Sequence, residues 1–474
     1  MHKRFYLLSL GCPKNTVDAE GMASLLAGAG WRQMGQPGRA ELLIVNTCGF
    51  IEPAREESYA ALREIGRGKR PGQVLLAAGC LAQRYAQDIR HLVPEVDGIL
   101  GTREWADIVG CAESLLDTSY PSPAEAGWTP SPVVAGWTPS TAAYTAAYGM
   151  DAEYGSQSLN ARVRPQAGVS VVSPLVRRGA GSSAYLKIAD GCSAPCAFCA
   201  IPLIKGPQRS KPRSDILSEA QQLSANGAQE IILIAQDTTA YGRDLGEQDA
   251  LPNLMVNILQ AASAVAWLRL MYAYPQHVTP QLIETLAGHP RICHYLDLPL
   301  QHAHPNTLRR MQRSPDIEGV RQLMARLRQS MPDIAVRTAF IVGYPGETED
   351  EFAALLDFMA EMRFDKVGVF IYSREEGTAA AGLPNPVPRQ VAEERYARTM
   401  ELQQGISLAQ NQLQVGRTLD VLVEGAEPGI SVGRSYRDAP EIDGYVLLQG
   451  EWPVGKMVQA KITQALEYDL QGQV

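Results

Sequence analysis

Short apolar runs recur along this chain, each followed by a longer stretch with helical spacing, and this alternation most narrows its fold. Runs at 5–10, 42–46, 74–78 and, more weakly, 99–100 are followed by helical stretches at 16–29, 53–65, from Ala82 onward, and 103–116. Apolar runs returned to one another by helices predict parallel strands with helices on the sheet faces. Thr16 is an expected N-cap for the first helix, with Gly30 as its stop. The pattern resumes near Ala184 with six runs, at 185–188, 230–235, 267–272, 293–298, 335–342 and 366–371. Helical stretches at 216–226, 254–264, 280–287, 320–330 and 349–361 separate them. Six strands and five helices are too few for a closed eight-fold barrel and predict a partial, open (β/α)6 one. A polar helix is expected at 390–415, and 415–474 alternates in Val- and Gly-rich runs that read as a small β-barrel. The predicted fold class is α/β multidomain: a Rossmann-like N-terminal parallel sheet, the partial barrel, and a small C-terminal β-barrel.

The 474 residues allow about three domains, and the divisions expected are 1–117, 118–180, 181–405 and 406–474. Between 118 and 161 there are three acids (Glu125, Asp151, Glu153) and no Lys or Arg; AGWTP occurs at 126–130 and 135–139, and TAAYTAAY at 141–148. Such short repeats predict a mobile low-complexity linker, with docking of Trp128 and Trp137 on a neighbouring domain as the less favoured alternative. Hydrophobic residues at 45% and charged residues at 20% exclude collagen-like and disordered classes. No run reaches the roughly 20 apolar residues of a membrane span, and the run at 5–10 is too short for a signal-peptide core. A cytoplasmic protein with no membrane partner is expected. Its eight cysteines are then free thiols, ligands or catalysts, not a disulfide framework.

The sharpest local signal is Asp190-Gly-Cys-Ser-Ala-Pro-Cys-Ala-Phe-Cys. Cys192, Cys196 and Cys199 follow the first strand of the second sheet, at the edge where such folds place their active sites. Three thiolates on one tight loop can converge on an inorganic centre. Structural zinc takes four protein ligands, and the closest histidines in sequence are His91 and His277. Three ligands without a fourth favour a [4Fe-4S] cluster with one iron open to a reagent. The wider signal is Cys12, Cys48 and Cys80, each closing an apolar run: LLSLGC, LLIVNTC, VLLAAGC. In a parallel sheet all three share the carboxyl edge, which points to a second three-cysteine cluster; three unrelated core cysteines are the alternative. Cys111 and Cys293 read as packed core residues.

The spacing of Cys192, Cys196 and Cys199, with Phe198 before the last, resembles the radical S-adenosylmethionine superfamily. The two three-cysteine sets followed by a terminal barrel resemble the methylthiotransferases, over nearly the whole chain except the 118–161 stretch. The resemblance implies a methylthiotransferase N-terminal domain, a radical core and a terminal TRAM domain. It implies two [4Fe-4S] clusters, S-adenosyl-L-methionine on the open iron, a deoxyadenosyl radical, and sulfur insertion and methylation involving the Cys12/Cys48/Cys80 site. It also implies an electron donor such as flavodoxin or ferredoxin. SLGCPKN at 9–15, LIAQDTTAYG at 233–242, YSREEGTAA at 372–380 and GRSYRDAPEIDG at 433–444 look like the branch that modifies the β-carbon of an aspartate in protein twelve of the small ribosomal subunit. The alternative branch modifies adenosine in transfer RNA and carries a GCQMN-like first motif. On the same resemblance Gln236 and Asp237 lie where related enzymes bind the methionine amino group, Gln301 and His302 are cofactor-facing candidates, and Gly343, in IVGYPGE, is expected near adenine.

Charge bears on the choice of branch. The chain carries 43 Lys plus Arg against 51 Asp plus Glu, a net charge of -8, and residues 411–474 hold five bases against nine acids. Such a barrel repels phosphates and attracts a basic partner, as ribosomal proteins are. An ordinary solvated acidic surface, and a local RNA-binding patch at Arg434 and Arg437, are the competing expectations.

Overall fold

The computed structural model describes residues 3–117 and 181–474, so the expected linker lies outside the described residues. These form two compact units: the first gathers 3–117 with 198–206 and 374–382, the second 181–197, 207–373 and 383–474.

The first unit is built on five strands, β1 (Arg4–Ser9), β2 (Arg32–Gln33), β3 (Leu42–Thr47), β4 (Val74–Gly79) and β5 (Gly98–Gly101), in the order β2-β1-β3-β4-β5. Every neighbouring pair is parallel. β3 is buried along its whole length and β4 nearly so, because helices cover both faces and leave no side for polar residues. β2 is short, polar and exposed, so it left no apolar run to read. Helix α1 (Pro13–Gly28) starts earlier than the Thr16 cap implies: Cys12 is its N-cap residue, and Pro13 presets the first-turn φ. Helix α2 spans Glu52–Arg67. The helix expected from Ala82 is two helices, α3 (Cys80–Arg84) and α4 (Ala86–Leu92), broken where Tyr85 leaves helical backbone at φ -130° and ψ 40°. α5 (Ile108–Leu116) completes the 3–117 part, and α6 (Ile201–Lys205) lies in the 198–206 part.

The second unit holds a six-stranded sheet of β6 (Ser183–Lys187), β9 (Glu230–Ile234), β10 (Trp267–Leu270), β11 (Ile292–Asp297), β12 (Ala335–Val342) and β13 (Lys366–Ile371). Its order, β13-β12-β11-β10-β9-β6, follows the chain, and every pair is parallel. The sheet is open, six strands joined by five crossovers being too few to close an eight-fold barrel. A small antiparallel pair, β7 (Ala189–Asp190) with β8 (Arg209–Ser210), brackets the cysteine loop. Helices α7 (Arg213–Ala225), α8 (Ala250–Ala261), α9 (Pro280–Gly288), α10 (Pro305–Arg310), α11 (Ile317–Ser330) and α12 (Glu349–Met362) intervene between strands. α12 opens with a capping box in which Thr348 and Glu351 satisfy each other's backbone N–H. α13 (Arg389–Gln412) leads to a closed five-stranded barrel of β14 (Thr418–Glu427), β15 (Ile430–Ser435), β16 (Val446–Gln449), β17 (Met457–Ala465) and β18 (Leu470–Gln473), in the order β14-β15-β16-β18-β17.

The barrel docks on the amino edge of the six-stranded sheet through the 433–444 segment. Arg434 is fully buried and donates to Glu230 at the start of β9 (2.6 Å), to Glu424 (2.6 Å) and to Ser183 at the start of β6 (2.9 Å). Arg269 donates to the same Glu230 carboxylate at 2.6 Å. Arg437 pairs with Asp365, Asp438 with Lys366, and Asp443 accepts from the Tyr295 hydroxyl. The expectation of a surface RNA patch at Arg434 and Arg437 is therefore corrected: both guanidiniums are buried and neutralised within the unit. Two arginines beside acids read alike from sequence whether they face solvent or a neighbouring domain.

Candidate functional site

Cys12, Cys48 and Cys80 stand at the carboxyl ends of β1, β3 and β4, three strands adjacent in the sheet. The register pairs Ser9 with Asn46 and Thr47 with Gly79, which brings the three strand ends level. A glycine adjoins each cysteine, and none of the three has room for a side chain. A Cβ on Gly11 would lie 2.7 Å from Cys48 Cβ, and one on Gly49 2.7 Å from Leu81 Cα. One on Gly79 would strike Asn46 Oδ1 and come within 2.6 Å of the Thr47 carbonyl. Gly11 and Gly79 also hold φ at +89° and +96°, backbone that favours glycine. The sequence therefore spends its smallest residues on crowding the three thiol-bearing loops together.

A knot of polar side chains beneath them holds the loops. Buried Asn15 donates from Nδ2 to the Leu10 and Thr47 carbonyls, both at 3.0 Å, and its Oδ1 accepts from Cys80 Sγ at 3.5 Å. Asn46 Nδ2 donates to the Asn15 carbonyl at 2.8 Å. The Ser58 hydroxyl accepts from the Cys48 N–H at 2.9 Å and donates to the Cys48 carbonyl at 3.0 Å. Sequence reasoning passed over Asn15, Asn46 and Ser58. For Asn46 the signal was there, as a lone amide closing an otherwise apolar run. Burial pushes the Cys48 thiol up and the Cys80 thiol up to about 12, so both stay protonated unless a bound cation draws the proton off. Cys12 is exposed. Free thiols, glycine-crowded loops and one accessible member make a donor set that fits an iron–sulfur group bound by three thiolates.

The second constellation lies at the carboxyl edge of the six-stranded sheet. Cys192 and Cys196 belong to the second unit, whereas Cys199 falls with the 198–206 segment of the first. Cys192 Sγ accepts from the Ala194 N–H at 3.4 Å and Cys196 Sγ from Arg313 Nη1 at 3.5 Å. Such N–H donors suit sulfur that carries negative charge. Burial pushes the Cys192 thiol up to about 11. Arg313 is held over the Tyr274 ring, 4.0 Å from its centre, and Tyr274 stacks against His277. Neither Arg313 nor Tyr274 was singled out from sequence, since neither lies near a cysteine in the chain. Among the described residues no three His, Cys, Asp or Glu side chains sit close enough to share a single metal ion.

Gln236 and Gln301 are half-buried at the ends of β9 and beyond β11, and Gln301 has φ +75°, a sparsely populated conformation for a side-chain-bearing residue. Asp237 is buried; it caps the 238–240 turn, accepting from Thr239 Oγ1 at 2.7 Å, and meets His277 Nδ1 at 2.8 Å. His302 is buried with both ring nitrogens engaged, Nδ1 by the His304 N–H (2.9 Å) and Nε2 by Glu347 (3.1 Å). Gly343 has φ +72°, and a Cβ there would lie 2.5 Å from that of Ala392 in α13. Its freedom thus serves close packing of α13. Cys293 is buried and Cys111 partly so, burial pushing each thiol up to about 12. Among the described residues no helix is long and apolar enough to cross a membrane.

Residues 4–101 match the family described as uncharacterized protein family UPF0004, 186–359 the radical SAM superfamily and 415–474 the TRAM domain. A protein of Roseiflexus sp. named ribosomal protein uS12 methylthiotransferase RimO is 48% identical, across 99% of this chain and 97% of its own. One of the same name from Chloroflexus aurantiacus is 47% identical across 99% of both. Among solved structures, the radical S-adenosylmethionine methyltransferase TsrM from Kitasatospora setae, with cobalamin and a [4Fe-4S] cluster bound, has a TM-score of 0.54 at 14% identity. The match covers 91% of this chain and 81% of that one, and it is a likeness of fold.

Proposed function

The chain belongs to the ribosomal protein uS12 methylthiotransferase RimO family, and from that premise we propose that it adds a methylthio group to the β-carbon of an aspartate in uS12. It is an enzyme of the radical S-adenosylmethionine class and uses S-adenosylmethionine and iron–sulfur chemistry. Our finer reading is of two [4Fe-4S] clusters, one on Cys192, Cys196 and Cys199 and one on Cys12, Cys48 and Cys80, with S-adenosylmethionine near Gln236, Asp237, Gln301 and Gly343. The domain division 1–117, 118–180, 181–405 and 406–474, a cytoplasmic setting, and flavodoxin or ferredoxin as electron donor complete it.

The observation that carries the two-cluster reading is the levelling of three cysteines at three adjacent strand ends, each beside a glycine that leaves no space for a Cβ. When bound, the two groups supply a radical able to take hydrogen from an unactivated carbon, and a site for the sulfur that replaces it. The protein's part is position and exclusion of water. Arg313 and the Ala194 N–H point at the Cys196 and Cys192 sulfurs, while Asn15 and Ser58 fix the loops of Cys80 and Cys48.

Mass analysis of uS12 and of transfer RNA from a deletion strain tests the substrate: uS12 should lose the methylthio group and transfer RNA should keep its own. Loss from the nucleoside alone rejects the reading. Anaerobic reconstitution should give about eight irons per chain, by the arithmetic of two cubes. Cys196→Ala should abolish cleavage of S-adenosylmethionine, and Cys48→Ala should spare cleavage while stopping sulfur insertion.

A further inference from the structure

The YSREEGTAA stretch is so far without a role. Part of it, 374–382, belongs to the first unit, and there Glu375 lies with its side chain only 2% exposed. Its carboxylate accepts from two guanidiniums, Arg55 Nη1 and, at 2.8 Å, Arg84 Nη1. Arg84 closes α3, the helix whose first residue is Cys80. Arg55 lies in the first turn of α2, directly after the loop that carries Cys48. Arg84 reaches that loop as well, Nη1 donating to the Gly49 carbonyl at 3.3 Å, and its Nη2 donates to the Glu376 carbonyl. Tyr85 lies against both guanidiniums, 5.3 Å and 4.9 Å from its ring centre.

Like-charged guanidiniums that are partly withdrawn from water, as Arg55 and Arg84 are with side chains 18% and 8% exposed, repel unless an acid lies between them. With Glu375 in place, the Cys48 loop and the Cys80 helix are held from one carboxylate. Without it the two cations separate, and each carries a cysteine-bearing element with it. We propose that Glu375 is a positioning residue for the Cys12/Cys48/Cys80 site, its carboxylate clamping Arg55 and Arg84 so that Cys48 and Cys80 stay at the spacing an iron–sulfur group requires. The clamp rests on the two-cluster reading given above.

The test uses the full-length chain carrying Cys192→Ala, Cys196→Ala and Cys199→Ala, so that any iron is held at the first site. Reconstituted anaerobically, this parent should hold about four irons. Glu375→Gln, which keeps shape and removes charge, should release them to a chelator at least about tenfold faster and alter the electron paramagnetic resonance signal of the reduced cluster. Glu375→Asp should restore a slow release. Arg55→Met, which leaves the Glu375–Arg84 pair intact, should fall between parent and Glu375→Gln and serves as the second variant should Glu375→Gln misfold. A parent that binds no iron overturns the two-cluster reading and the clamp with it. A parent that binds four, with both variants releasing them at the parent's rate and with its signal, overturns the clamp alone.

Discussion

At the scale of single residues, strand periodicity sets the thiols of the site, whereas ion pairs set the charges that tie the terminal barrel to the six-stranded sheet. A thiol at the end of an apolar run needs only strand periodicity to be placed on a sheet edge, so Cys12, Cys48 and Cys80 were legible. Arg434 was not, since a charged side chain carries no sign of whether it meets water or another domain. It lies fully buried between Glu230 and Glu424. Burial by itself would raise the Glu230 carboxyl, but Arg269 and Arg434 outweigh it and hold it well below the usual range. A carboxyl lowered in the folded state adds stability above its unfolded value, about 4.3, and that contribution is lost as pH falls toward the folded value. Arg434→Met removes one of the two cations and leaves Glu230 with Arg269 alone, which should cost about 2–3 kcal/mol at pH 7, less than the loss of a sole partner. Because the parent loses its own benefit in acid, the difference between the two should shrink at pH 3. Urea unfolding midpoints at both pH values check this; an equal difference at both would show that Glu230 is not held ionised by Arg434.

At the scale of elements, strands and helices followed the apolar periodicity closely, and the departures share a cause: local backbone chemistry that periodicity does not encode. Pro13 starts α1 ahead of Thr16, Tyr85 breaks one expected helix into α3 and α4, and β2 carries no apolar run. The strand-to-helix turn at Gly79 is the most demanding of these, since it must pass from β4 to Cys80 at φ +96° under the Thr47 backbone. Gly79→Ala adds a left-handed strain and a collision with Asn46, whose amide ties the β3 end to Asn15. The variant should keep the six-stranded sheet and its cleavage of S-adenosylmethionine while losing about half the iron, about four of eight. Iron counting beside deoxyadenosine formation measures both. Full iron content in Gly79→Ala would show that the turn has slack the glycine geometry denies.

At the scale of the whole molecule, the charge of the terminal barrel bears on the choice between the two substrate branches through its sign. The five bases counted in residues 411–474 include Arg434 and Arg437, and both are buried in ion pairs. Arg417, Lys456 and Lys461 are the exposed bases that remain, against exposed Asp420, Glu427, Glu441, Glu451 and Glu467. The exposed groups thus keep an acidic excess of two, smaller than the four of the whole segment, and its sign still repels phosphate and draws in a basic protein. Encounter with uS12 should slow by about tenfold between 50 mM and 500 mM salt as the attraction is screened. Salt dependence alone does not tell a basic protein from RNA met elsewhere on the surface, so the sign of a charge change decides. Converting Asp420, Glu427 and Glu467 to lysine should slow association with uS12 at low salt, leave dissociation nearly unchanged, and raise the affinity for transfer RNA from its weak starting level. Stopped-flow association rates for the parent and the triple variant, each against both partners, give the answer. If the lysines leave the uS12 rate unchanged, the barrel's charge plays no part in bringing the substrate to the enzyme.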